Sequence, residues 1–181
     1  MKKTITTIFF LLLLNFSYAQ EKYLTTSGYV DFFSHARLED IKAVNDQVLS
    51  IVNLENKEIA IHVLMKSFFF EKSLMQEHFN ENYIESDKYP KSKFKGRVIG
   101  FNPNTTAKQK IAIEGEFSLH GKTKKIRISS IARLKDNKLS LKGYFYVLVK
   151  DFGIKIPRST INNIAKSVKI SFDIVHKKYR R

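Results

Sequence analysis

Residues 113–130, IEGEFSLHGKTKKIRISS, bring His120, Gly121 and four basic side chains (Lys122, Lys124, Lys125 and Arg127) together within a few positions. An imidazole that titrates near neutrality beside several cations is the equipment of an acid–base centre or of an anion-binding loop. The same residues also suit the tip of a β-hairpin, where glycine turns the chain and the lysines stay wet. What else the chain offers decides how much chemistry can be assembled there. The other histidines, His35, His62, His78 and His176, form no HxH, HxxxH or HExxH spacing, so no local metal site is expected. There is no cysteine, which removes thiol catalysis, thiolate metal sites and disulfides. No Gly-x-Ser-x-Gly elbow and no glycine-rich phosphate cradle occurs. The acidic residues Glu71, Glu77, Glu81, Glu85 and Asp87 read as solvated helix and turn positions rather than as paired carboxylates. No catalytic residue, metal or cofactor is therefore expected. An enzyme would have to bring together polar residues distant in sequence.

The elements that carry this hairpin are strands. Ile111, Ile113, Gly115, Phe117 and Leu119 alternate with Ala112, Glu114, Glu116 and Ser118, and the pattern resumes at Ile126, Ile128, Ser130, Ala132 and Leu134. KDNK (135–138) reads as a turn, followed by a third apolar face at Leu139, Leu141, Gly143, Phe145, Val147 and Val149. A last strand sets Val168, Ile170, Phe172 and Ile174 inward. The first half is less regular: shorter strands are expected at 28–34, about 37–44 and about 46–53, and a longer one at 57–70 that is apolar on both faces. Leu74, Met75, His78, Phe79 and Tyr83 share one helix face, and this helix is expected to lie over the end of the sheet, with His78 in the core. Pro90 stops it, and Phe94 begins the next strand. DFGIKIP (151–157) reads as a loop whose apolar residues dock on the core or line an opening. About eight one-sided antiparallel strands and one short helix predict an all-β fold, a closed up-and-down β-barrel. A β-sandwich shares the alternation.

Residues 1–19, MKKTITTIFFLLLLNFSYA, have a basic start, an apolar run and a Ser17-Tyr18-Ala19 cleavage pattern. They predict a cleaved export signal without a lipid-anchoring cysteine, followed by one domain over 20–181 and a periplasmic destination. Removing Lys2 and Lys3 leaves 30 basic against 17 acidic residues, a formal charge of +13. Because the bases mostly alternate with apolar residues, they read as a solvated strand face, and no nucleic-acid partner is expected.

Three segments resemble the YceI-like family: LMQEHFNENYIESDKYPKSKFKG (74–96), IEGEFSLHGKTKKIRI (113–128) and YFYVLVKDFGIKIP (144–157). They match its methionine-bearing helix, Tyr-Pro and Phe-x-Gly strand, His-Gly-x-Thr-Lys hairpin and Asp-Phe-Gly-Ile loop, in order and spacing. The resemblance implies a lipocalin-like, lipid-binding barrel for polyisoprenoid-like or other amphiphilic chains in the periplasm. The function expected from it is a non-enzymatic carrier holding such a lipid in the barrel interior. The interior and lid residues expected to meet the ligand are Val63, Met65, Leu74, Met75, Phe79, Phe94, Phe117, Phe145 and Phe172. The alternative is a filled barrel that binds anionic glycolipid or another polyanion through its basic surface. An anionic membrane surface is a further expected partner, and the hairpin's histidine is given a structural turn role.

Overall fold

The structure is a computed structural model and describes residues 21–35, 40–156 and 166–179; the predicted export signal lies outside them. Nine strands form: β1 Lys22–Ser34, β2 Ile41–Asn53, β3 Glu58–Leu64, β4 Phe69–Phe70, β5 Lys91–Ile99, β6 Gln109–Leu119, β7 Lys122–Lys135, β8 Lys138–Leu148 and β9 Ser167–Tyr179. One short helix, α1, spans Ser73–His78. Apart from the two-residue β4, each strand pairs antiparallel with its neighbour in sequence. The pairing of β1 with both β2 and β9 closes the ring. The result is an eight-stranded up-and-down barrel, which leaves none of its eight strands with a free edge. The alternation from Ile111 onward lies as the sequence predicts. Ile111, Ile113 and Phe117 are buried on β6; Ile128, Ser130 and Ala132 on β7; Leu139, Leu141 and Val147 on β8; Phe172 and Ile174 on β9.

The first half differs from the expectation, for a reason visible in the backbone. β2 is one strand, not two, and β1 begins at Lys22 rather than at residue 28. Tyr23 and Thr25 point inward at odd positions, but Val30 follows at an even one. On β2, Ala43 and Asn45 give way to Val48, Ser50 and Val52. Register irregularities around Gly28 mark the phase change in β1. Each strand presents two successive exposed residues there, Thr26–Ser27 and Asp46–Gln47. Buried polar side chains stitch these kinks: Thr25 Oγ1 accepts from Ser27 N at 3.3 Å, and Asn45 Oδ1 from Gln47 N at 2.9 Å. Asn45 Nδ2 also donates to the Leu64 carbonyl at 3.0 Å, where β3 ends. A bulge that flips the inward phase looks, in sequence, like a strand boundary.

The strand predicted over 57–70 likewise divides. β3 stops at Leu64, Met65–Ser67 makes a 3₁₀ turn, and β4 then pairs with Ala43 and Val44 of β2 beyond the end of β3. The turn buries Met65 and Phe68, so residues expected on opposite strand faces both reach the interior. After α1 the chain makes a π turn over Phe79–Tyr83. Asn80 holds it, donating to the Gln76 carbonyl at 2.9 Å and accepting from Ser86 Oγ at 2.5 Å.

Packing divides the barrel along its axis. At the end where β1 starts, Tyr23, Val48, Val52, Ile113, Leu139, Leu141, Ile174 and His176 are all essentially inaccessible. They form a continuous plug of core. Among the described residues, no comparable plug fills the other end, where α1, the β6–β7 hairpin and the loop after β8 lie.

Candidate functional site

The unfilled end holds an open cavity of about 400 Å³, within the size range of small-molecule sites. One wall is an aromatic cluster. Phe32 of β1 stacks on Phe79 of the π turn at 5.4 Å, and Phe70 meets Phe79 at 5.0 Å. Phe68 closes edge-on against both Phe32 and Phe79. Met65, Met75 and Ile84 continue this side, and Phe117, Leu119, Val147, Val149 and Ile170 face it. Among the described residues, only Ser34, His78, Tyr83 and Ser92 bring polar side chains to the lining, and the Ser92 hydroxyl is already donated to the Ser118 carbonyl at 2.9 Å. Such a surface excludes water from an apolar chain and has little means of polarising a bond.

The predicted residues fall into three groups. Val63, Met65, Met75, Phe79 and Phe117 line the cavity. Phe94, Phe145 and Phe172 point into the barrel but lie outside the lining. Phe94 packs beside Gly96, Phe145 sits edge-on to Phe117 at 5.4 Å, and Phe172 abuts Gly143. Leu74 is corrected: it is 59% exposed and touches no part of the cavity. Successive residues of a helix are rotated by about 100°, so a single-faced helix presenting Met75 and Phe79 turns Leu74 outward. His78 is also corrected, from the core to an exposed position at the cavity edge.

Sequence reasoning missed Phe32 and Ile41, which border the irregular first strands, and Phe68 and Phe70, which follow the break in β3. It also left the loop after β8 between two readings, and that loop does both. Phe152 is buried edge-on against Phe117 at 5.5 Å, while Ile154 and Ile156 line the opening.

The opening stretch is a two-residue hairpin turn, with His120 and Gly121 at φ of 50° and 72° and Leu119 paired to Lys122 across it. Positive φ at both turn positions is what a type I′ hairpin demands. The lysines there are exposed, as expected, but the histidine is not wet: its side chain is only 10% exposed. Its ring packs on Tyr89 at 4.4 Å. Nδ1 faces the Phe152 carbonyl at 3.0 Å, and Nε2 faces the Glu85 carboxylate at 2.8 Å. Both partners are acceptors, a pairing that the imidazolium form satisfies at both nitrogens. The hydrogen bond from His120 is the main reason the Glu85 carboxyl titrates below its usual range. His120 thus ties the hairpin to the segment after α1 and to the loop after β8. It acts as a clasp between the three segments. Replacing His120 with Ala is expected to cost about 1 kcal/mol, as the partly buried Phe152 carbonyl loses its hydrogen bond. Urea denaturation would read the loss, and hydrogen exchange would rise in residues 150–154.

No group of three or more potential metal ligands occurs among the described residues. No helix among them is long and apolar enough to cross a membrane.

Against known proteins, a family model for the YceI-like domain matches residues 15–176. The fold is similar to a polyisoprenoid binding domain from Saccharophagus degradans implicated in plant cell wall breakdown, with a TM-score of 0.75 at 13% identity, covering 88% of this chain and 99% of that one. It is similar to Burkholderia cenocepacia BcnA, with a TM-score of 0.70 at 12% identity, covering 82% and 95% of the two chains. It is also similar to the Campylobacter jejuni YCEI protein, with a TM-score of 0.66 at 12% identity, covering 81% and 90%. A sequence search of curated proteins finds no match.

Proposed function

The chain belongs to the YceI-like family, and on that premise we propose that it is a non-catalytic carrier holding the apolar chain of an amphiphilic, polyisoprenoid-like lipid in its half-hollow barrel. The observation that carries this reading is the cavity: open at one end, plugged at the other, and lined almost wholly by aliphatic and aromatic side chains. Burial of each methylene contributes about 0.8 kcal/mol, so affinity can come from length alone. The Saccharophagus neighbour, described as a polyisoprenoid binding domain, supports the ligand class. The predicted export signal supports delivery to the periplasm, where such lipids are met. The rival reading, a filled barrel acting only through its basic exterior, is weighed down by the hollow half.

Protein purified from its native host is expected to yield a long-chain lipid on solvent extraction, read by mass spectrometry. The empty protein is expected to take up a fluorescent long-chain probe. Ile170→Trp projects an indole into the cavity and is expected to weaken uptake about tenfold, or about 1.4 kcal/mol, with little change in melting temperature. Binding through the basic exterior would collapse in high salt, whereas tail burial would persist. An extract without lipid, together with no probe uptake, would reject the carrier reading.

A further inference from the structure

The outer wall around the cavity carries a feature that lipid storage does not require. Among the described residues, the four most exposed large apolar side chains are Phe69 at 67%, Tyr146 at 64%, Leu74 at 59% and Tyr144 at 55%. All four lie in the cavity half of the barrel. Strand register arranges three of them, with Phe33, into a belt. One row runs from Phe69 through Val44, Asp31 and Ser171 to Tyr144. The next row, nearer the opening, runs Lys42, Phe33, Lys169 and Tyr146. The Lys169 ammonium sits over the Tyr144 ring at 4.6 Å, and Tyr144 meets Tyr146 edge-on at 6.0 Å. Exposed Lys150 and Lys166 flank one end of the belt and exposed Asp40 and Glu71 the other, while within its two rows Asp31 is the one carboxylate beside Lys42 and Lys169.

The geometry points to this belt as a docking surface for an anionic lipid bilayer, with the cavity mouth held at the membrane. Tyrosine and phenylalanine among lysines is the composition that settles at a bilayer interface. There, rings enter the headgroup layer and ammonium groups meet lipid phosphates. A partner protein would be equally apolar but would not need this excess of positive charge. The belt is also continuous with the cavity, one strand thickness away. Phe33 faces out while Phe32 and Ser34 line the cavity, and Lys169 faces out while Val168 and Ile170 line it. A docked barrel would receive its ligand directly from the bilayer, sparing the apolar chain a passage through water. This inference rests on the carrier reading for its purpose but not for its test.

The test is co-flotation of the full mature chain with vesicles of phosphatidylcholine, with and without phosphatidylglycerol. Wild type is expected to float with the anionic vesicles and to bind about tenfold less when phosphatidylglycerol is omitted or salt is raised to screen it. The double variant Phe69→Ser, Tyr146→Ser is expected to lose about tenfold in binding. A control with Leu49→Ser and Ile131→Ser, exposed apolar residues nearer the middle of the barrel, is expected to bind like wild type. Absence of wild-type flotation, or equal loss in the control, overturns the inference. So does a concentration-dependent dimer, seen by sedimentation, that the double variant abolishes without any change in flotation. Probe uptake from dispersed solution is scored separately. A protein that floats but yields no lipid on extraction and takes up no probe supports the docking surface and rejects the carrier reading.

Discussion

Gly115→Ala is expected to cost about 3 kcal/mol, the upper end of what overpacking costs, and to lower the melting temperature by about 10 °C for a domain of this size. Gly115 and Gly96 are partners across β5 and β6. A Cβ at Gly115 would lie 2.2 Å from the Lys95 carbonyl oxygen and 2.5 Å from Gly96 Cα, and one at Gly96 would lie 2.2 Å from the Glu114 carbonyl. These are backbone atoms held in two hydrogen-bonded ladders, so no rotamer change can relieve the contact. Glycine at both partner positions is what lets the two backbones approach this closely. Gly143→Ala supplies the comparison. Its nearest neighbours are the tip of the Phe172 ring and the Ser130 hydroxyl, both at 2.8 Å. Side chains can yield where a carbonyl cannot, so the expected cost is about 1 kcal/mol. Urea denaturation of both variants would decide it. Equal losses would show that the β5–β6 backbones can separate.

Acidification is expected to remove about 2 to 3 kcal/mol of stability between about pH 7.5 and pH 4.5 through His176. This ring is fully buried in the packed end. Nδ1 donates to the Leu139 carbonyl at 3.0 Å, and Nε2 accepts from the Ser50 hydroxyl at 2.8 Å. That pairing fits the neutral tautomer. Burial opposes the charged form and pushes the pKa down to about 4, with the bond to Leu139 opposing this only in part. An unfolded histidine titrates near 6.5, so between these values the unfolded chain binds more protons than the folded one. The stabilisation is therefore complete above about pH 6.5 and is lost as pH falls toward 4. His176→Gln can keep polar contacts without titrating, and most of the slope through that window is expected to disappear, leaving the contribution of His62, whose pKa is also lowered by burial and by the neighbouring Lys93, Lys91 and Lys95. Glu85, whose pKa is also depressed, acts below the ordinary carboxylate value of 4.5, under most of the histidine window. An unchanged slope in His176→Gln would assign the acid sensitivity elsewhere.

The sequence makes the second half of the barrel legible because strands β6 to β9 keep an unbroken two-residue period. Each inward residue there could be placed from its neighbours alone. In the first half, kinks near Gly28 and Asn45 reverse the phase within single strands, and their stitching depends on Thr25 and Asn45 folding back onto backbone two residues ahead. Local pattern then reads as punctuation. The same limit governed the site. Met75, Phe79 and Phe117 follow from helix and strand spacing, but the aromatic wall of Phe32, Phe68 and Phe70 does not. It is assembled by a turn that ends β3 and a two-residue strand that borrows the end of β2. His120 shows the limit from the other side: spacing identifies a turn, but Glu85 and Phe152, which hold its ring, lie about 30 residues away in either direction.

The division of the interior into a solid half and a hollow half sets where the protein can change. Truncating a side chain in the plug opens a void where none existed, and the cost includes that new empty volume. Truncating one on the wall of the cavity merely widens a space already open to solvent or ligand, leaving chiefly the transfer cost of the lost atoms. The plug is thus a foundation that tolerates little revision, and the chamber above it is an adaptable vessel. Its shape can drift toward longer, bulkier or more branched cargo while the foundation keeps the barrel folded.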